Sequence, residues 1–243
     1  GISGKKLLTV YDMIHENLGK HYNFNNCDKT IERKRNAIHN SDHIISISKY
    51  TKDQLLKFYN VPPEKITVIH LYASPFYLNM NDNLLFKRKK NFILHVGNRR
   101  LYKNFMFLLS VMPKLIKNFK DLKLLIYGGE NPLDEELRFI SKHDLHEHIQ
   151  FIRGGKDVLK NLYNESKILV CPSIEEGFGI PIIESISSNC IPLCSNIPVF
   201  REITDNNANY FNPFISESLI SNLSKLLLMD EGEYIDELKC HEG

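Results

Sequence analysis

An α/β fold is predicted here: a doubly wound parallel sheet, preceded by part of a second unit of the same kind. Three observations lead to it. Short apolar runs such as "HIISIS", "NFILHVG", "LKLLIYGG" and "KILVCPS" recur along the chain, and runs of that length and continuity read as strands covered on both faces. Segments with apolar residues at helical spacing fill the gaps, which is the pattern of parallel strands joined by crossover helices. The alternation has one interruption, "LNMNDNLLFKRKK", polar and charged without a period, and it divides the chain in two.

In order, the first part offers "KLLTVYD", a polar helical region holding "IERKRNAIHNSD", then "HIISIS", the helical "KYTKDQLLKFYN" and the strand "KITVIHLY". We place a first domain over 1–75, a linker over 76–90 and a second domain over 91–243. The second domain restarts with "NFILHVG", a helix at 103–119, "LKLLIYGG", a helix at 132–143, "IQFIRGG", a helix at 156–166 and "KILVCPS". A helix from 181, "IPLCS", a short helical piece, "NYFNP" and the helical "SESLISNLSKLLLMD" complete it. Phe105, Leu108, Leu109, Met112, Leu115, Ile116 and Phe119 form the core face of the first of these helices.

Composition narrows the class. The 243 residues are 42% hydrophobic and 25% charged with a net charge of +2, ordinary globular material that can bury a large core. The basic residues are dispersed except around "FKRKKNFILHVGNRRLYK", which argues against a nucleic-acid surface. Five cysteines without a CxxC pair read as reduced, buried thiols of a reducing compartment. Apolar runs fall short of the roughly 20 residues that span a bilayer, and no signal peptide opens the chain, so a cytoplasmic protein is expected. The chain begins with Gly1 and reaches its first strand almost at once, which we read as the mark of an excised fragment.

Ligands of a doubly wound sheet bind beyond the carboxyl ends of its strands, and the residues there form a set. "HVGNRRLYKNF" puts Gly97 at a tight turn and Arg99, Arg100 and Lys103 at the mouth. A lysine at a helix start opposes the macrodipole, a placement that makes sense if a phosphate sits between the amides and the ammonium. Read alone, the segment is equally a solvated basic loop. Gly128 and Gly129 end the next strand, where backbone can approach a ligand. In "IEEGFGIPIIES", Glu175 and Glu176 precede a Gly-Phe-Gly turn, Pro181 fits the first helical position and Glu184 falls in the first turn. Taken singly, Glu184 is a helix-dipole acid and the other two are solvated loop acids.

"PSIEEGFGIPIIES" closely resembles the paired-glutamate motif of the retaining glycosyltransferases of family 4, whose GT-B fold joins two Rossmann-like domains. "ILHVGNRRLYKNF", "LLIYGGE" and "NCIPLCSNIPVFREITDNNANYFNPF" resemble flanking segments of that family, and "RKRNAIHNSDHIISISKYTKDQLLKFYNVPPEKITVIH" resembles the end of its N-terminal, acceptor-side domain. The resemblance covers nearly the whole chain in register. It implies transfer of a sugar from a nucleotide-diphosphate donor, a GDP- or UDP-sugar, to a glycan or lipid-linked acceptor in surface polysaccharide synthesis, with retention. The "VGNRRLYKNF" form of the turn is closest to the mannosyltransferase-like branch.

By that resemblance Glu176 is the catalytic residue, an ionised carboxylate that contacts the donor sugar's hydroxyls near the reacting carbon, Glu184 holds the ribose, and Arg99 and Lys103 neutralise the diphosphate. Phe178, Gly179 and Ile180 approach the donor through backbone amides. No metal or other cofactor is implied, and the triplet His143, His146 and His148 lacks a cysteine partner. Two departures stand out. The family's His-Asp pair after the first strand is Tyr11-Asp12 here, so that Tyr11 serves instead, His15 substitutes, or transfer is impaired. The first part of the N-terminal domain, where acceptor recognition and peripheral contact with the cytoplasmic face of a membrane would lie, is missing, and the fragment alone is expected to be inactive. The alternatives are a degenerate module that binds nucleotide-sugar without turnover and, last, a nicotinamide-dependent enzyme, for which no G-x-G-x-x-G follows a strand.

Overall fold

The computed structural model describes residues 4–22, 24–78, 89–99 and 101–241. The chain divides into two compact units. One runs from Gly1 to Tyr72 and takes in Glu175–Gly179 and Ile197–Asp205; the other comprises Ala73–Ile174, Ile180–Asn196 and Asn206–Gly243. The stretch expected to link domains, 76–90, falls largely on 79–88, which lie outside the described residues. A 3-10 turn, Pro75–Tyr77, lies just before them.

In the first unit, strands β1 (Leu7–Val10), β2 (His43–Ser46) and β3 (Ile66–Val68) lie parallel in that order. Helices α1 (Ile14–Tyr22) and α2 (Cys27–Asn40) connect β1 to β2, and α3 (Lys49–Phe58) connects β2 to β3. Val10, Ile38, Ile44, Leu55, Tyr59 and Ile66 form the core between sheet and helices. Ile38 is the one buried residue of α2, as its run of charged side chains requires. Ser48 starts α3 sharply, because its Oγ accepts the Thr51 N–H at 3.0 Å, a cap worth about 1 kcal/mol.

The second unit holds six parallel strands in the order β6-β5-β4-β7-β8-β9. They are β4 (Lys90–Val96), β5 (Lys123–Tyr127), β6 (Ile149–Ile152), β7 (Ser166–Cys171), β8 (Ile191–Ser195) and β9 (Asn209–Phe211). Crossovers α4 (Phe105–Asn118), α5 (Asp134–Lys142), α6 (Lys156–Glu165) and α7 (Ile180–Ser187) join them, α8 (Pro198–Ile203), which is counted in the first unit, runs between β8 and β9 in the chain, and α9 (Ser216–Leu228) and α10 (Glu231–Cys240) follow. The first five residues of β7 and all of β8 are buried, since helices cover both faces of a doubly wound sheet and leave no polar alternation. Lys167 breaks that apolar run without being stranded: its Nζ donates to Leu227 O at 3.2 Å, at the carboxyl end of α9, where a cation is favoured. Helix α10 was not anticipated. Asp230 and Glu233 form a capping box at its start, and Tyr234 and Leu238 bury its inner face.

The expected core of α4 is buried at Phe105, Leu108, Leu109, Met112 and Leu115, with Ile116 and Phe119 packed at its margin. All five cysteines are free thiols; Cys190 and Cys194 are buried, Cys27 and Cys171 half-buried, and Cys240 is exposed, so burial does not extend to all five. No helix among the described residues is long and apolar enough to cross a membrane.

Candidate functional site

The winding of the six-stranded sheet reverses between β4 and β7, and a crevice opens outside the strand ends at such a point. Gly97 ends β4 at φ +116, and Gly128 and Gly129 end β5 at +83 and +73. A Cβ on Gly129 would stand 2.7 Å from Arg99 Nη1 and 3.0 Å from Gly97 O, so both conformation and space demand glycine there. Beyond Gly97, Leu101–Lys103 makes a 3-10 turn that delivers the half-buried Lys103 to the start of α4. Asn104 turns its Nδ2 to Pro213 O at 3.0 Å, and as the N-cap residue it makes no side-chain bond to the amides of α4. The Ile174 N–H donates to Tyr102 O at 2.8 Å and ties the β7 exit to this turn. Beneath it, burial pushes the His95 imidazole down to about 4, so at neutral pH this histidine adds no charge to the crevice.

Arg99 is placed otherwise than a cation open to a phosphate. It is 6% exposed. Its Nε lies 3.0 and 3.2 Å from the two oxygens of Glu136, Nη1 donates to Gly128 O, and Nη2 donates to Glu130 O and Asn131 O. Glu136, itself buried, also accepts the N–H of Leu133 at 2.9 Å just before α5. Burial in a pocket with its own carboxylate turns the guanidinium into a brace between the exits of β4 and β5, and Lys103 is the cation of the expected pair that stands at the helix start. Arg100 lies outside the described residues.

Glu184 lies on α7 and is half-buried. The hydroxyl of Tyr163 donates to its Oε2 at 3.0 Å. Burial raises the Glu184 carboxyl above its usual range, and the Tyr163 hydrogen bond opposes that rise. Ile180, at the head of the same helix, is exposed.

The turn before α7 belongs to the first unit. The hydroxyls of Ser48 and Thr51 donate to Gly177 O at 2.8 and 3.3 Å, and Phe178 is buried with its ring 5.8 Å from that of His70. Gly179 takes φ +126, while Glu176 is half-buried. Glu175 corrects the reading of a solvated loop acid. Its Oε1 accepts from Asn17 Nδ2 at 3.0 Å and from the Tyr50 hydroxyl at 2.8 Å. Burial raises its carboxyl, those two donors lower it, and Glu176 and Asp12 raise it further. Glu175→Ala is therefore expected to destabilise the chain by about 1–3 kcal/mol, because two partly buried donors lose their acceptor. The urea midpoint tests this, and a parent-like midpoint would return Glu175 to the solvated class.

Glu202 went unnoticed in the sequence. It accepts the N–H groups of Lys49 and Tyr50 at 2.6 and 2.8 Å and so caps α3 from more than 150 residues away; its Oε1 also lies 2.7 Å from His70 Nε2. Only its place in the motif-bearing "VFREI" marked it. Tyr11 is 60% exposed, and His15 is half-buried with its ring 5.3 Å from that of Phe24.

Residues 79–238 match the family model described as glycosyl transferases group 1, and residues 7–71 match that of glycosyltransferase family 4. The O-antigen chain mannosyltransferase RfbU of Salmonella typhimurium is 36% identical over 193 residues, 76% of this chain and 51% of that protein. Among solved structures, WaaG, a glycosyltransferase involved in lipopolysaccharide biosynthesis, superposes with a TM-score of 0.80 at 17% identity, over 98% of this chain and 70% of that one. Anabaena HepE in complex with UDP and glucose gives 0.79 at 12% identity, over 97% of this chain and 65% of that one. The chain spans about half the length of the curated relatives it matches, 51% and 47% for two of them.

Proposed function

Because this chain belongs to the group 1 and family 4 glycosyltransferases of GT-B fold, we propose that it carries the donor-binding machinery of a retaining transferase. That enzyme moves a hexose, mannose in the manner of its RfbU relative, from a GDP- or UDP-sugar to a glycan or lipid-linked acceptor of a surface polysaccharide. The observation that carries this reading is the switch-point crevice, where Lys103 stands at the start of α4, whose N-cap residue Asn104 makes no side-chain cap bond. As the glycosidic bond lengthens, negative charge grows on the departing nucleoside diphosphate, and an ammonium together with helix N–H groups stabilises it. The acceptor hydroxyl passes its proton to the departing diphosphate oxygen and forms the new bond on the face the diphosphate leaves.

Glu184 accepts from the ribose hydroxyls in this reading. Glu176 contacts the donor sugar, where hydroxyls donate and the anomeric carbon gains positive character, and the amides of Phe178, Gly179 and Ile180 approach the donor. Arg99 serves the diphosphate indirectly, by bracing the glycine turns. A second reading, a module that binds nucleotide-sugar without turnover, draws on Tyr11 in place of the family's histidine.

A thermal-shift panel of GDP, UDP and ADP with their sugars tests the assignment, since a ligand that binds the folded chain raises Tm. Lys103→Ala is expected to weaken diphosphate binding by about 1.5–3 kcal/mol, the range for a charge-assisted contact, and to leave nucleoside binding near the parent's. Equal losses for both ligands, or none, would remove Lys103 from the phosphate site.

A further inference from the structure

Tyr163 is a large side chain with no exposed surface, set in the last turn of α6. A buried phenol must find an acceptor. Here it finds Glu184 Oε2 at 3.0 Å, with Pro181 O at 3.4 Å as the second oxygen in reach. The ring cannot drift, because Tyr77 packs edge-on against it with centroids 5.8 Å apart. The backbone at that point is fixed as well: Lys89 Nζ donates to Tyr163 O at 2.9 Å and to Ser166 O at 3.0 Å. Tyr77 is itself held, since its carbonyl accepts from Ser188 Oγ at 3.0 Å.

We propose that Tyr163 is a positioning residue for nucleotide binding: its hydroxyl holds one oxygen of Glu184 so that the carboxylate meets the nucleotide's ribose hydroxyls already oriented. This rests on the reading of Glu184 as the ribose acid. A glutamate on a helix otherwise explores several rotamers, and ordering it on binding weakens affinity. The hydrogen bond has a second consequence. It opposes the effect of burial on Glu184, so it keeps the carboxylate ionised, the form that accepts most strongly, to lower pH.

Calorimetric titration of this chain with GDP and with UDP, from pH 5 to 8, tests the proposal in the parent, Tyr163→Phe, Glu184→Gln and Glu184→Asp. Phenylalanine keeps the ring against Tyr77 and removes only the hydroxyl. It should weaken the better-bound nucleotide about three- to tenfold, the equivalent of one hydrogen bond. The acid limb of the affinity profile should move to higher pH, because burial then acts on Glu184 unopposed. In Glu184→Gln the share of the limb that Glu184 contributes should vanish, leaving the share of the nucleotide's terminal phosphate, which gains its proton at about pH 6 in every variant. Glu184→Asp, which draws the charge back from Tyr163, should weaken binding in the same direction as Tyr163→Phe.

Parent-like affinity and an unmoved limb in Tyr163→Phe, with Glu184→Gln weakened, would overturn the role of Tyr163 and leave Glu184 as the ribose acid. Parent-like binding by Glu184→Gln at every pH would instead overturn the reading of Glu184 and the proposal with it, as would a parent chain that binds neither nucleotide. Should Tyr163→Phe fail to fold, Glu184→Asp decides alone, and parent-like affinity there counts against the proposal.

Discussion

Replacing Gly177 with alanine is expected to destabilise the chain by about 2–4 kcal/mol, the sum of an overpacked methyl and the hydrogen bonds it displaces. The added Cβ would stand 1.8 Å from Tyr11 O, 2.8 Å from Tyr11 C and 2.9 Å from Asp12 Cβ. Two of those three atoms are backbone, at the exit of β1, and no rotamer change relieves them. The turn would have to lift away, and the bonds from Ser48 and Thr51 to Gly177 O and those from Asn17 and Tyr50 to Glu175 would go with it. Glu176, between these two anchor points, would lose its fixed position as well. Urea unfolding followed by circular dichroism measures the loss. Gly232→Ala is the matched control, since its nearest neighbour is Asp230 Oδ1 at 3.4 Å and alanine within α10 should be neutral or stabilise by up to about 1 kcal/mol. A Gly177→Ala chain as stable as the parent would mean that the turn does not lie against β1 as described.

How far such features are legible in sequence depends on how local their causes are. Strands β7 and β8 were readable because burial on both faces leaves short apolar runs without polar alternation, 168–171 and 191–194. Helix α4 was readable because Phe105, Leu108, Leu109, Met112 and Leu115 repeat at the period of one buried face. Helix α10 was missed because it buries little more than Tyr234 and Leu238 among charged neighbours; the Asp230 to Glu233 spacing was the signal available. Glu175 could not be read locally at all. Its two donors lie 158 and 125 residues away in sequence, and a window around "IEEGFG" contains nothing that distinguishes a solvated acid from a clamped one. Arg99 posed a subtler problem. A guanidinium beside a glycine turn suits a phosphate or a carboxylate equally, since both offer the paired oxygens its fork recognises. Glu136, which takes up that fork, comes 37 residues later.

That ambiguity sets up the other large expected effect: Arg99→Met should cost about 3–5 kcal/mol, the range for stranding one partner of a buried ion pair. The side chains of Arg99 and Glu136 are 3% and 1% exposed, so water cannot replace what the guanidinium supplied. The carbonyls of Gly128, Glu130 and Asn131 would lose their donors together with Glu136. Arg99→Lys should rescue little, because a point ammonium cannot span a carboxylate and three carbonyls at once. Adding Glu136→Leu to Arg99→Met should recover much of the loss, since removing both charges removes the stranded one, although the Leu133 N–H then goes without its acceptor. Denaturant midpoints of the parent, Arg99→Met, Glu136→Leu and the double variant give the coupling, and nucleotide titration assigns the role. A brace that shapes the glycine turns should weaken diphosphate and nucleoside binding alike when it is removed, whereas Lys103→Ala should separate them. An Arg99→Met chain with parent stability and a loss confined to diphosphate would make Arg99 a phosphate ligand after all and dissolve the brace.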